Sequence, residues 1–205
     1  MRIKVCGMKD SENIKQLARL PIDYMGLIFY QKSQRFVGNL DAGLINALPR
    51  SIKKTGVFVN AEEEYIIQKV IMYNLDFVQL HGVEAPEFCR KINEQIPVVK
   101  AFSVSDAADL EKLQAYDGGC RYFLFDTKTP QYGGSGQKFD WGILHYYNGN
   151  TPFFLSGGIS PDDSDTIKRI KHPAFYGIDM NSKFEIEPGF KNIQLLEKFI
   201  KDIRS

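Results

Sequence analysis

The 205-residue chain carries 26 basic and 25 acidic side chains, a net charge of +1, which excludes a broad electrostatic surface for nucleic acid. Its 43% hydrophobic and 25% charged content is that of a globular domain with a sizeable core, and no apolar run approaches the ~18 residues of a membrane span. The cysteines Cys6, Cys89 and Cys120 form no C-x-x-C pair and the amino terminus has no long apolar stretch, so the expectation is a cytoplasmic protein without a signal peptide.

Short, β-rich apolar runs open near Ile3, Tyr24, Thr55, Phe77, Val98, Tyr122, Phe153 and Phe175. Helical signals separate them. Asp10-Ser11-Glu12 starts the first helix, with Ile14, Leu17 and Ala18 at i, i+3, i+4. A weak pattern runs from Leu40 to Leu48. After Val57-Phe58-Val59, Asn60 reads as a cap for a helix anchored by Tyr65, Ile66, Val70 and Ile71. The next helix is expected from about Glu84 to Ile92, and Ser105-Asp106 opens another with Leu110 and Leu113 behind it. Phe139-Asp140-Trp141 looks like the start of a sixth. Ser160-Pro161 pairs an N-cap residue with proline at the first helical position, ahead of Ile167 and Ile170. The last helix, from about Asn192 to Ile203, places Ile193, Leu196, Phe199, Ile200 and Ile203 on one stripe.

Eight strands alternating with eight helical segments indicate a parallel sheet, since parallel strands need crossover connections. Eight such units close into a barrel. The predicted fold is therefore α/β: a single-domain (β/α)8 TIM barrel over residues 1–205, with minimal helices and loops because ~250 residues is typical. The rival is an open doubly wound sheet, but Val5-Cys6-Gly7-Met8 after the first strand is no glycine-rich dinucleotide fingerprint.

In a barrel the carboxyl ends of all strands share one mouth. That gathers Cys6, Arg35, Gln79, His81, Asp126, Gly157, Gly158 and the stretch Asp179 to Ser182. Asp126 ends the run Phe123-Leu124-Phe125 and, taken alone, reads first as a turn cap; it is the number of strands ending the same way that turns it toward chemistry. Cys6 is either a small buried hydrophobe or a thiol pushed toward thiolate by nearby cationic groups and helix amino termini. Arg35, pinned by Phe36 and Val37, is suited to bidentate capture of a carboxylate. His81 reads as a positioning residue before a proton carrier. Gly157-Gly158 after strand seven, and Asp179, Asn181 and Ser182 after strand eight, are where barrels place a phosphate. Gly133, Gly134, Ser135 and Gly136, in the longest non-helical connection, read as a lid that orders around substrate.

Taken in order, Lys4-Val5-Cys6-Gly7, Ser33-Gln34-Arg35-Phe36-Val37, Gly56-Val57-Phe58-Val59-Asn60, Val78-Gln79-Leu80-His81-Gly82, Phe125-Asp126, Gly133-Gly134-Ser135-Gly136, Leu155-Ser156-Gly157-Gly158-Ile159 and Gly177-Ile178-Asp179 resemble the phosphoribosylanthranilate isomerase family. The resemblance spans nearly the whole chain. It implies an Amadori rearrangement of an aminoaldose in tryptophan biosynthesis, with Cys6 as general base and Asp126 as general acid. It further implies that Arg35 holds the anthranilate carboxylate and that the loops after strands seven and eight hold the phosphate. No cofactor and no metal are implied, and the partner is a small phosphosugar rather than nucleic acid or membrane, acted on by a monomer or homodimer. Asn181-Ser182-Lys183 departs from the two small hydroxyl residues and glycine expected there. Two rival readings remain: a related phosphosugar aminoaldose isomerase, and a phosphate-binding barrel without chemistry. A metal-dependent epimerase would need paired histidines and aspartates at strand ends, and the chain has only His81, His145 and His172.

Overall fold

The computed structural model describes residues 1–127 and 140–205. Eight parallel strands close on themselves: β1 (Arg2–Val5), β2 (Tyr24–Ile28), β3 (Lys53–Phe58), β4 (Phe77–Leu80), β5 (Val98–Val104), β6 (Tyr122–Thr127), β7 (Phe153–Leu155) and β8 (Phe175–Met180). Pairing of β1 with β8, Lys4 opposite Asp179, completes the circle. The open-sheet alternative is thereby excluded.

Side chains alternate across each strand, so every strand feeds two separate apolar layers. Outward residues such as Ile3, Val5, Val78, Phe123, Phe125 and Leu155 pack against the helices. Inward, the even-numbered strands carry Tyr24, Phe77, Tyr122 and Tyr176 at or next to their first positions, where the rings stack edge-on and face-on and plug the barrel's amino end. The Tyr24 and Tyr176 hydroxyls share a 2.9 Å hydrogen bond, so neither phenol is left unsatisfied. With that end filled, the carboxyl end is where a barrel receives a ligand.

The crossovers are as short as the chain length demands. They include α1 (Ser11–Leu17), α2 (Ala42–Asn46), α3 (Glu63–Tyr73), α4 (Pro86–Asn93) and α5 (Ala108–Glu111), the last continuing as a 3₁₀ turn over Lys112–Tyr116. The expected sixth helix is only a 3₁₀ segment, Trp141–Tyr146, capped by Asp140. The seventh connection is a 3₁₀ turn at Pro161–Asp163 followed by α6 (Ser164–Lys168). Its start matches the sequence signal: Ser160 and Asp163 form a reciprocal capping box. The last helix, α7 (Ile193–Arg204), buries Leu196, Phe199, Ile200 and Ile203 as its stripe predicts. Among the described residues, no helix is long and apolar enough to cross a membrane.

Three readings need correction. Asn60 does not cap α3. It adopts a left-handed conformation at φ 49°, its side-chain oxygen accepts from the Val83 N–H, and Glu62 precedes the helix without a side-chain cap. Ile71 is 75% exposed, because α3 needs only Ile66 and Tyr73 to seal its inner face. Glu84 is not helical: it is buried ahead of α4, ties down the backbone N–H groups of Asn60 and Gly82, and pairs with Lys100 at 3.0 Å. Beyond β8 lies an element absent from the sequence reading, an antiparallel pair β9 (Glu185–Glu187) and β10 (Phe190–Lys191). Buried Asn13 on α1 clamps it, donating to the Lys191 carbonyl and accepting the Lys191 N–H.

Candidate active site

Cys6 extends β1 by one residue, its N–H bonded to the Met180 carbonyl, and its side chain points inward. Lys4 lies two residues earlier on the same face. Gly26 on β2 leaves room for the sulfur, since a Cβ there would stand 2.6 Å from it. Gly7 (φ +80°) makes the turn, and a side chain there would collide with Arg35 and Asn181. The strand end is thus packed on all sides, and Cys6 is 4% exposed.

Burial pushes the Cys6 thiol up, and Asp179 adds to that; the charges of Lys4 and Lys191 and a Lys4 hydrogen bond pull it down without prevailing. In the free protein burial outweighs the cations beside Cys6, so its thiol sits above its ordinary range.

Across the mouth, the Asp126 carboxylate accepts the Thr127 N–H at 2.8 Å and lies 3.3 Å from His81 Nε2. Gln79 reaches His81 Nδ1 at 2.8 Å from below. These contacts fix the ring and turn Nε2 of His81 toward Asp126. Gly157 (φ +80°) closes over this group, leaving a Cβ only 2.9 Å from Asp126 Oδ1. Gly158 follows at φ +66°, and no acceptor among the described residues takes either glycine's N–H. Backbone donors of this kind ahead of a capped turn are the general means by which proteins bind anions.

Arg35 contradicts a simple picture of a free guanidinium awaiting substrate. Its Nε lies 2.9 and 3.0 Å from the two Glu185 oxygens and its Nη2 lies 2.6 Å from one. The bidentate carboxylate partner is thus a protein group, and Nη1 is the nitrogen left over. Glu185 also accepts from Lys191 at 2.7 Å and from the Gly189 N–H. Burial alone would lift its pKa, but the Arg35 hydrogen bond and the Lys191 charge hold it below the usual glutamate range.

Two residues expected at the phosphate have their side chains engaged elsewhere. Asp179 pairs with Lys4 at 2.9 Å inside the barrel. Asn181 turns its amide oxygen to Lys191 Nζ at 2.7 Å, on the Cys6 side of the mouth. Ser182 opens a 3₁₀ turn with Lys183 exposed beside it. Gly133, Gly134, Ser135 and Gly136 lie outside the described residues. Lys4, Glu185 and Lys191 were missed at the sequence level. A lysine two residues before Cys6 in an apolar strand was a readable signal; nothing in the Glu185–Lys191 stretch was.

The fold is a closed parallel (β/α)8 barrel whose carboxyl-end mouth gathers Cys6, His81, Asp126 and the Gly157–Gly158 turn. Residues 3–202 match the family model for N-(5'phosphoribosyl)anthranilate (PRA) isomerase. The chain is 48% identical over 206 residues to the N-(5'-phosphoribosyl)anthranilate isomerase of Parabacteroides distasonis, covering 99% of this chain and 93% of that one. To the Thermotoga maritima protein of the same name it is 38% identical, covering 100% and 98%. A crystal structure of a phosphoribosyl anthranilate isomerase in complex with reduced 1-(o-carboxyphenylamino)-1-deoxyribulose 5-phosphate superposes with a TM-score of 0.87 at 33% identity, covering 100% and 98%. A structure of monomers generated from the dimeric Thermotoga maritima enzyme gives 0.83 at 33%, with the same coverage. The chain belongs to the N-(5'-phosphoribosyl)anthranilate isomerase family. It is an aldose–ketose isomerase of tryptophan biosynthesis.

Proposed function

We propose that this mouth rearranges N-(5-phosphoribosyl)anthranilate to 1-(2-carboxyphenylamino)-1-deoxyribulose 5-phosphate, with Asp126 as general acid and Cys6 as general base. Asp126 protonates the ring oxygen, the C1–O bond breaks, and the anilino nitrogen supplies the electron pair of the resulting Schiff-base cation. That cation acidifies C2–H, so a thiolate is base enough. Cys6 takes the C2 proton, giving an enolamine. Protonation at C1 and loss of the O2 proton complete the ketose. His81, aimed by Gln79, keeps Asp126 oriented over the ring.

The phosphate rests on the N–H groups of Gly157 and Gly158 and on the turn at Ser182. Arg35, braced by Glu185, offers Nη1 to the anthranilate carboxylate. The whole chain acts as one catalytic unit on a small phosphosugar in the cytoplasm, as a monomer or as a homodimer like the Thermotoga maritima relative.

One observation carries this reading. Cys6 follows β1 and Asp126 lies at the carboxyl end of β6 in one closed parallel barrel, so both stand on the same rim. The test is the fall in fluorescence of freshly made phosphoribosylanthranilate. Cys6→Ala and Asp126→Asn should each lose about 10²-fold or more in kcat, the scale of acid–base catalysis. Arg35→Met should mainly raise KM. Full turnover in either of the first two removes that residue's role, and an unchanged KM in the third reassigns the arginine.

A further inference from the structure

Lys4 has no place in the acid–base scheme, yet it is a fully buried lysine in the middle of a barrel strand. Burying an ammonium is expensive unless it is paired and hydrogen-bonded. Its recorded partner is Asp179 Oδ2 at 2.9 Å, directly opposite on β8 in the strand register. Cys6 lies two residues further along the same inward face, so the charge of this ammonium acts on the sulfur at short range. Asp179 returns less than a full pairing: Oδ1 is buried and has no donor among the described residues.

We propose that Lys4 is a positioning residue for the base, its ammonium shared between Asp179 and Cys6 so that it supplies the counter-charge of the thiolate, while Asp179 sets how much of that charge the sulfur receives. This inference rests on the reading of Cys6 as the base. When the thiol releases its proton to water, the S–H bond breaks, Lys4 keeps all its protons, and the new sulfur anion lies against an existing cation. The thiolate then takes the substrate proton.

Other charged groups around the sulfur do not fill this role. Lys191 on β10 acts on it through charge, but its own ammonium is committed to Glu185 and Asn181, with Arg35 as a like-charged neighbour. Asp126 on β6 and His81 after β4 act on Asp179 from the far side. Among the described residues, Lys4 combines a place beside Cys6 on the same strand face with a buried carboxylate partner. The field at the sulfur is raised by Lys4 and lowered by Asp179, so removing each must move the thiol in opposite directions.

The experiment is a pH titration of thiolate ultraviolet absorbance in the substrate-free protein, with the Cys6→Ala spectrum subtracted to isolate Cys6. Lys4→Met should raise the Cys6 midpoint by about one pH unit or more, a tenfold loss of thiolate. Asp179→Asn should lower it by a similar amount. Should Lys4→Met fail to fold around an unpaired Asp179, Lys4→Gln in an Asp179→Asn background leaves neither position of the pair charged. Its midpoint compared with Asp179→Asn alone isolates the Lys4 contribution and should again be higher. The acidic limb of kcat/KM should follow the thiol midpoint in each active variant. A merely structural pair would change stability without opposed shifts. Midpoints unmoved by loss of Lys4, or raised by Asp179→Asn, overturn the proposal. Cys6→Ala turnover is scored separately: full activity there removes the base while leaving the titration result intact.

Discussion

Replacing Glu185 by Gln should unsettle both the fold and the grip on substrate, because one carboxylate holds two cations. Its side chain is 4% exposed, against 13% for Arg35 and 0% for Lys191. The substitution removes the negative charge and leaves the arginine and the buried lysine facing each other. Breaking a buried ion pair from one side costs about 3–5 kcal/mol, and the lower end applies because Arg35 partly reaches water. For a domain of this size each kcal/mol is worth about 2–4 °C, so the melting temperature at neutral pH should fall by about 6–12 °C. The pH dependence has a definite sign. Glu185 is held below its ordinary range, so its contribution is complete above that range and disappears as pH falls through the depressed value. Circular-dichroism melts should therefore show the full gap between parent and variant at neutral pH, narrowing in acid. In parallel, KM for phosphoribosylanthranilate should rise as Arg35 loses its brace. A variant melting within about 2 °C of the parent at neutral pH, or a gap undiminished in acid, would refute the reasoning.

Gly157→Ala should lower kcat/KM by about 10- to 100-fold, since a Cβ at φ +80° is strained by about 1–3 kcal/mol and stands against the Asp126 carboxylate. Steady-state kinetics with inorganic phosphate as competitor reads it, and unchanged kcat/KM with unchanged phosphate inhibition would show that the loop tolerates the side chain. Asn13→Ala should cost about 2–4 kcal/mol in urea unfolding, because it strands a buried N–H and a buried carbonyl of Lys191 at once. A loss under about 1 kcal/mol would mean that β10 finds other partners.

Much of the molecule was legible in the chain itself. Strand positions followed from apolar runs bounded by turn formers, and the capping box at Ser160 and the stripe of α7 followed from local spacing. Those features depend on neighbours within a few residues, which is the range over which pattern and propensity act. Eight repeats of that alternation were enough to imply a closed barrel. Closure in turn implied that Cys6, His81, Asp126 and Gly157 meet at one mouth. Failures came where a residue's role is set by a distant partner. Asn60 looks like a helix cap, but Glu84 and Val83, more than 20 positions away, draw its backbone and side chain into another turn.

The charged network under the mouth was decided only by tertiary structure. Residue identity and strand periodicity established that Lys4, Cys6 and Asp179 belong to strands and that Arg35 sits in a loop. Neither reveals that Lys4 faces Asp179 across the seam where β8 meets β1, or that Arg35 is spent on Glu185. Ionisation depends on burial and on charges within a few ångströms, and those distances join residues up to 175 positions apart. The chain specifies which groups are present; folding fixes which of them share a field.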